Sequence, residues 1–110
     1  MHAGELRHSV MLERRRQFTG AAMTLDSVYE PVTQAFAKIE GVGGAAYQAG
    51  VQIEERITHR ITIRFRQRTD FDHVSRGDQR FRLRRIRDPQ GDRRWLIIEA
   101  EEVLAGADVL

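Results

Sequence analysis

Histidine, serine and acidic residues are the side chains of this sequence that could do catalytic or metal chemistry. The four histidines stand at positions 2, 8, 59 and 73, and none has the spacing of a metal-binding motif such as HExxH. The serines at 9, 27 and 75 lack a nucleophile elbow, since Ser75 lies in HVSRG and not in GxSxG. There are no cysteines for a thiolate site. We therefore expect no catalytic, cofactor-binding or metal-binding residues, and no enzymatic activity.

Two further groupings have structural explanations. Gly41, Gly43 and Gly44 follow a predicted strand, a position that suits phosphate binding, but no GK[ST] sequence or parallel βαβ pattern accompanies them. We interpret them as a turn between a strand and a helix. Glu99 and Glu101 could form an acid and base pair, but on a solvated strand face we expect them to pair with neighbouring arginines.

Arginine is the most strongly biased residue type, and lysine occurs once, at Lys38. Residues 56–110 carry thirteen basic and nine acidic groups, and the stretch from Arg76 to Arg94 has eight arginines against three aspartates. On a hairpin these would form a positive surface suited to a DNA backbone. The net charge of only +2 leaves salt bridges between subunits as an alternative. We select as the candidate DNA-channel face Arg82, Arg84 and Arg85.

A central strand is the element most clearly predicted to position these side chains. Residues 56–66, RITHRITIRFR, alternate strictly between two sets of side chains. Since successive side chains of a strand point to opposite faces, one set faces a core and the other faces solvent or a partner. The core-facing set is Ile57, His59, Ile61, Ile63 and Phe65, and the opposite set is Thr58, Arg60, Thr62, Arg64 and Arg66.

The rest of the chain is predicted to build a sheet around that strand. Further strands are predicted over residues 6–16, 32–40 after Pro31, 79–87 with a bulge at Arg84 and Arg85, and 94–103. A long connection is predicted over residues 17–26 and a short helix over residues 45–52. A loop anchored by Phe71 and Val74 is predicted over residues 67–77, and a turn over residues 88–92. The expected fold is mainly β, a small antiparallel barrel or sandwich with one short α-helix and long loops.

Size and composition restrict the organisation of the protein. A chain of 110 residues fits one domain, which we assign to residues 1–110. No apolar run approaches the roughly 20 residues of a membrane helix. The first ten residues lack the apolar region of a secretory signal, so we expect synthesis in the cytoplasm.

Three apolar side chains are predicted to lie on faces opposite the core: Phe36, Trp95 and Ile97. Several exposed apolar groups together indicate a protein interface, so we select these residues as a subunit or partner interface. The alternative is that their strands are buried on both faces inside a small barrel.

The order of these parts resembles the head–tail joining family of tailed bacteriophages, also called head-closure or stopper proteins. The resemblance extends over nearly the whole chain. The segments that carry it are GELRHSVMLERR (4–15), AKIEGVGGAAY (37–47), ERITHRITIRFR (55–66), GDQRFRLRRIRD (77–88) and RWLIIEAEE (94–102). This chain differs from the family pattern at Phe36, where a tryptophan is usual, and at residues 77–80.

The resemblance implies a structural protein of a phage, prophage or gene-transfer agent, located at the head–tail interface of the virion. It implies a ring of copies below the portal and its adaptor, which closes the DNA-filled head and docks the tail. The implied partners are further copies, the portal-bound adaptor, a tail terminator or tail tube protein, and double-stranded DNA in the lumen. Residues 17–26 and 67–76 would then be mobile gating or clasping loops.

Three alternatives remain open. A tail terminator-type protein would occupy another position in the same tube. An OB-like nucleic-acid-binding barrel would use the arginine face for single strands, although that face lacks stacking aromatics. An enzyme is the third alternative.

Overall fold

The computed structural model of the chain describes residues 3–20, 25–42 and 57–103. In these residues a short 3-10 helix, Ala3–Glu5, precedes six strands. The strands are β1 (His8–Thr19), β2 (Leu25–Gly41), β3 (His59–Arg64), β4 (His73–Arg76), β5 (Gln79–Arg87) and β6 (Trp95–Val103). The predicted short helix lies outside the described residues. Within the described part of the chain, no helix is long and apolar enough to span a membrane.

The six strands close into an antiparallel barrel in the order β1-β2-β3-β6-β5-β4, with β4 returning to β1. The mainly β prediction is therefore confirmed, and of the two architectures considered the chain adopts the barrel. Closure matters because an open sheet would expose a row of unpaired backbone groups at each edge, whereas a barrel pairs them around the ring.

The interior of the barrel is filled by the core-facing set of each strand. Ile61 and Ile63 of β3 are at most 1% exposed, and they share the core with Phe81 of β5 and Ile98 of β6, which are 0% exposed. Burying one such side chain stabilises the fold by about 1.5–3 kcal/mol. The alternation seen in the sequence therefore reflects this core directly.

The opposite face of β3 is only partly exposed. Thr62 was expected to face water, yet it is 1% exposed, because Lys38 of β2 and Ile97 of β6 stand on either side of it in the register. Its hydroxyl has no hydrogen-bond partner among the described residues. The outer face of the sheet is thus a packed surface around Thr62.

Two bulges bend the sheet. In β5 the register with β6 shifts between Leu83 and Arg85, which leaves Arg84 as the extra residue and confirms the predicted bulge. In β2 the shift makes Val32 the extra residue opposite β1. Pro31 was expected to precede the strand, but β2 continues through it. A proline is tolerated there because β3 pairs with β2 only from Ala37 onward.

The prediction of a long connection over residues 17–26 was wrong at both ends. Strand β1 continues to Thr19 and β2 begins at Leu25, with Gln17 opposite Ser27 and Phe18 opposite Asp26. We call residues 14–19 and 25–31 the ribbon. Most of the ribbon's described side chains are at least partly exposed on both faces, so no alternation of apolar and polar residues is required and the sequence shows none.

The predicted loop over residues 67–77 was also partly wrong, because His73–Arg76 forms β4. This strand pairs with β1 on one side and β5 on the other, so that Val74 lies between Leu12 and Phe81. Four residues are too few to display a period in the sequence. The two predicted anchors of this segment are confirmed, since Phe71 is 5% exposed and Val74 is 0% exposed.

Candidate interaction surface

A row of three side chains crosses the outer face of the barrel from β2 to β6. The register places Arg64 directly opposite Trp95, and Phe36 lies one residue beyond the last β2–β3 pair, at the level of Arg64. The Arg64 guanidinium carbon is 5.7 Å from the centroid of the Trp95 ring, which is the geometry of a cation–π contact. Phe36 is 63% exposed. The row therefore presents two aromatic rings with a cation between them.

The turn before β6 adds two more arginines to this row. Asp88 fixes the turn, because its carboxylate accepts hydrogen bonds from the backbone N–H groups of Gly91 (3.0 Å) and Arg93 (2.9 Å). Gly91 and Arg93 have φ angles of 70° and 59°, a region that glycine adopts freely and arginine rarely. The predicted turn is confirmed, and it holds Arg93 and Arg94 beside Trp95.

We call Phe36, Arg64, Arg93, Arg94 and Trp95 the aromatic–arginine surface. An open cleft of about 380 Å³ lies among four of these residues and Phe65. A second cleft of about 330 Å³ lies on the other side of Trp95 and Arg94, against Thr62 and Ile97. Trp95 thus forms the ridge between two clefts, a shape that suits a partner with complementary side chains.

The charges of this surface are not balanced within the described residues. Arg64 and Arg93 have no carboxylate within 4.0 Å there, and the nearest carboxylate to Arg94 is Asp92, at 3.9 Å, with the Arg94 side chain 75% exposed. Arginine and tryptophan are the residues most enriched at the energetic centres of protein interfaces. The surface therefore combines the side chains typical of an interface with positive charge that no carboxylate of the described residues balances.

The arginines of β5 have different surroundings. Arg84 is ion-paired with Glu101, and the Arg87 Nε lies 3.5 Å from Glu99. Arg82 stands opposite Glu101 and Arg85 opposite Glu99 in the register of β5 and β6. The expectation that Glu99 and Glu101 pair with arginines is thus confirmed.

The structure brings together the three residues selected as an interface, and of the candidate DNA-channel residues Arg85 lies beside them, since it is a diagonal neighbour of Ile97 in the register of β5 and β6. Trp95 and Ile97 are half-buried on β6, Phe36 lies in the same row as Trp95, and Ile97 lies one row away beside Thr62. Sequence reasoning missed Arg93 and Arg94 as neighbours of Trp95. The predicted turn over residues 88–92 could have indicated this position, because the residues that follow the turn stand at the start of the returning strand.

A further cleft of about 530 Å³ opens where β2 separates from β3. We call it the slot. One wall is residues 33–36 of β2 and the other is residues 63–66, with Leu6 between them. Apolar groups from Leu6, Ile63 and Phe65 line its interior, and Arg64 and Arg66 stand at its rim.

The base of the ribbon is fixed to the barrel by a stacked ion pair. Arg80 of β5 donates from Nε to the Glu13 carboxylate at 3.1 Å, and its guanidinium carbon lies 3.7 Å from the centroid of the Tyr29 ring. Glu13 is only 8% exposed. Because the pair is shielded from water, it constrains the direction in which the ribbon leaves the barrel more than an exposed pair would.

His73 lies next to this stacked pair. Its ring meets the Tyr29 ring edge to face with centroids 5.0 Å apart, and its Nδ1 is 2.7 Å from the Asp72 carboxylate. Burial lowers the pKa of His73 below its usual 6.5, and Asp72 only partly offsets this effect. Positive charge on Arg82 and Arg15 lowers the pKa further. The neutral form is therefore favoured.

Comparison with known proteins gives two findings. The sequence matches the family model of the phage head completion proteins over residues 1–103. Among solved structures, a chain from the virion of a native gene transfer agent particle is similar, with a TM-score of 0.59 and 17% sequence identity. The similarity covers 89% of this chain and 96% of that chain, and at this identity it concerns the fold. No match was found among curated proteins.

Proposed function

The chain belongs to the phage head completion protein family, and from this premise we propose that it forms a ring below the portal and its adaptor, closes the DNA-filled head and docks the tail. Family membership identifies it as a structural protein of the phage head. We assign the whole of residues 1–110 to one connector domain without enzymatic activity. Its proposed partners are further copies of the chain, the portal-bound adaptor and a tail terminator or tail tube protein.

The observation that carries this proposal is the aromatic–arginine surface. Phe36, Arg64 and Trp95 lie on strands of the barrel, and Arg93 and Arg94 follow a turn that Asp88 fixes, so these residues need little ordering of the backbone when a partner binds. Its exposed Phe36 and its unbalanced Arg64 and Arg93 lose most of their contact with water only in an assembly. We assign to it the contact with a neighbouring protein of the connector, together with Ile97.

Double-stranded DNA in the lumen is the remaining part of the proposal. We keep Arg82, Arg84 and Arg85 as the candidate channel face, on the strand that carries the densest run of arginines. Their cross-strand carboxylates, Glu99 and Glu101, reduce the local positive potential. A channel lined in this way would let DNA slide past without holding it tightly, which is what ejection requires.

Deletion of the gene in the native host tests the proposal. We expect electron micrographs to show filled or leaking heads separate from complete tails. Joined particles that remain infectious, or that still transfer genes, would exclude the proposed role. Expression of the intact gene from a plasmid is the control, and it should restore joined particles.

A further inference from the structure

The exposed apolar side chains of the described residues fall in two places. The large exposed hydrophobic residues there are Phe18 (46%), Val28 (41%) and Phe36 (63%). Phe18 and Val28 lie on the ribbon, and Phe36 lies on the wall of the slot. Clustered exposed apolar groups mark interaction sites, so these two regions are candidates for one contact.

One face of the ribbon carries both of its large exposed apolar side chains. Arg16 pairs with Val28 and Phe18 pairs with Asp26, so Phe18 and Val28 are diagonal neighbours on the same side of the two strands. Glu30 lies on that side as well, with its side chain 47% exposed although it bonds Arg16 at 3.0 Å. Arg14 and Arg16 are on that side too, so the face combines two apolar groups with the Glu30 carboxylate and two arginines.

The ribbon also has unpaired backbone. Among the described strands, β4 pairs with β1 only over residues 11–13, and β3 pairs with β2 only over residues 37–41. Residues 25–36 of β2 therefore have no strand beside them on their outer edge in the described part of the chain. A two-stranded ribbon is marginally stable alone, and a free edge is a template for another strand.

The slot has the complementary properties. Its volume of about 530 Å³ lies within the range of roughly 300–1,000 Å³ found for whole ligand sites, so it has room for an aromatic side chain and its neighbours. One wall is the free edge of β2 at residues 33–36, and the interior is apolar. At the rim stands Arg64, for which the described residues provide no carboxylate partner.

We propose that the ribbon of one copy docks in the slot of the next copy, with Phe18 and Val28 against Ala35 and Phe65, the partly exposed apolar residues of its lining. Glu30 of the ribbon then meets Arg64 at the rim, and Phe36 is covered in the same contact. Two different surfaces of one chain meet in this arrangement, and a repeated contact of that kind forms a ring when the rotation between copies closes. The inference rests on the proposed ring and identifies the elements that form it.

Photo-crosslinking in assembled particles tests the inference. Phe36 is replaced by p-benzoyl-phenylalanine, particles are irradiated, and the linked peptides are identified by mass spectrometry. We expect a ladder of covalent multimers on a denaturing gel, with the linkage between position 36 and the ribbon (residues 14–19 and 25–31) of another copy. The same replacement at Asp78, an exposed residue of the β4–β5 turn, is the control and should give no such linkage.

Three outcomes would overturn the inference. A linkage from position 36 to another virion protein would assign the slot to that partner. A linkage only to position 36 of a second copy would indicate a two-fold contact. Particles that contain the protein and join normally, but give no linkage to the ribbon, would refute the contact while leaving the proposed function intact.

A substitution provides a second readout. We expect Phe18→Ser to lower the amount of particle-bound protein by about tenfold, because the ribbon loses its main apolar contact. The matched control is Thr19→Ser, an exposed neighbour on the opposite side of the ribbon. Normal incorporation of the Phe18→Ser protein would contradict the inference. Circular dichroism of the purified variant establishes that its strands still form.

Discussion

Arg64 and Trp95 stand opposite each other on β3 and β6, with the guanidinium carbon 5.7 Å from the centre of the indole ring. Thirty residues separate them in the sequence, and the barrel brings them together with Phe36, Arg93 and Arg94. Arg64 has no carboxylate within 4.0 Å in the described part of the chain, so its charge is available to a partner. The predictions that follow test this surface and the barrel that supports it.

Reversing the charge at Arg64 should reduce joining without unfolding the protein. The cation–π contact with Trp95 is worth about 0.5–1 kcal/mol, so Arg64→Glu should lower the free energy of unfolding by no more than about that amount. We expect about a tenfold loss of joined particles, which corresponds to about 1.4 kcal/mol of binding. Arg68→Glu, an exposed arginine outside the surface, is the control. Equal effects of the two variants would argue against a specific docking surface.

Loss of an aromatic ring should strongly destabilise the protein in the core and hardly change its stability on the surface. Phe81 is 0% exposed, so Phe81→Ala should destabilise the barrel by about 3–5 kcal/mol in urea unfolding. Phe36 is 63% exposed, so Phe36→Ala should change stability by less than about 0.5 kcal/mol. If Phe36→Ala instead costs as much as Phe81→Ala, then Phe36 belongs to the core of the protein.

Replacing Arg93 by glycine should keep or raise the stability of the protein but reduce docking. Arginine at a φ of 59° is strained by about 1–2 kcal/mol, whereas glycine adopts this conformation freely. Glycine lowers the free energy of unfolding by about 0.5–1 kcal/mol, because the unfolded chain gains conformational freedom. We therefore expect Arg93→Gly to be as stable as the parent protein or up to about 1.5 kcal/mol more stable in urea unfolding. It should nevertheless form fewer joined particles. An increase in both stability and joining would show that Arg93 does not contribute to docking.

His73 should make the barrel less stable in acid. Burial lowers its pKa below 6.5, so between the lowered value and 6.5 the unfolded chain binds more protons than the folded one. This contribution to stability is fully present above pH 6.5 and is lost as the pH falls below it. Urea unfolding between pH 8 and pH 5 measures the effect. His73→Gln should flatten the curve in this interval, and an unchanged slope would show that other groups cause it.

Removing charge from β5 tests the channel. We use glutamine at Arg82, Arg84 and Arg85, because a carboxylate there would face Glu99 and Glu101 and would disturb the sheet. The triple variant should join heads to tails but change the retention or ejection of DNA, measured as DNA content and DNA release of purified particles. Failure to join with normal packaging would identify these arginines as interface residues.

Particular residues show how far the sequence predicts this structure. The alternation of β3 was readable because one face of the strand is buried in the core, and burial imposes the period. The bulge at Arg84 was readable because Ile86 is out of phase with Phe81 and Leu83. The ribbon was not readable because both of its faces are largely solvated, and β4 was too short to show a period. The pairing of Arg64 with Trp95 depends on the register between distant strands, which no local pattern specifies.

Reconstitution of the joining step shows whether this protein is what connects heads to tails. Heads and tails from a strain that lacks the gene are mixed with the purified protein, and joined particles are counted by electron microscopy. The account predicts that joined particles form with the intact protein and are about tenfold fewer with the Arg64→Glu variant. If the heads and tails join equally well without the protein, or join only when a different component is added, the account is contradicted.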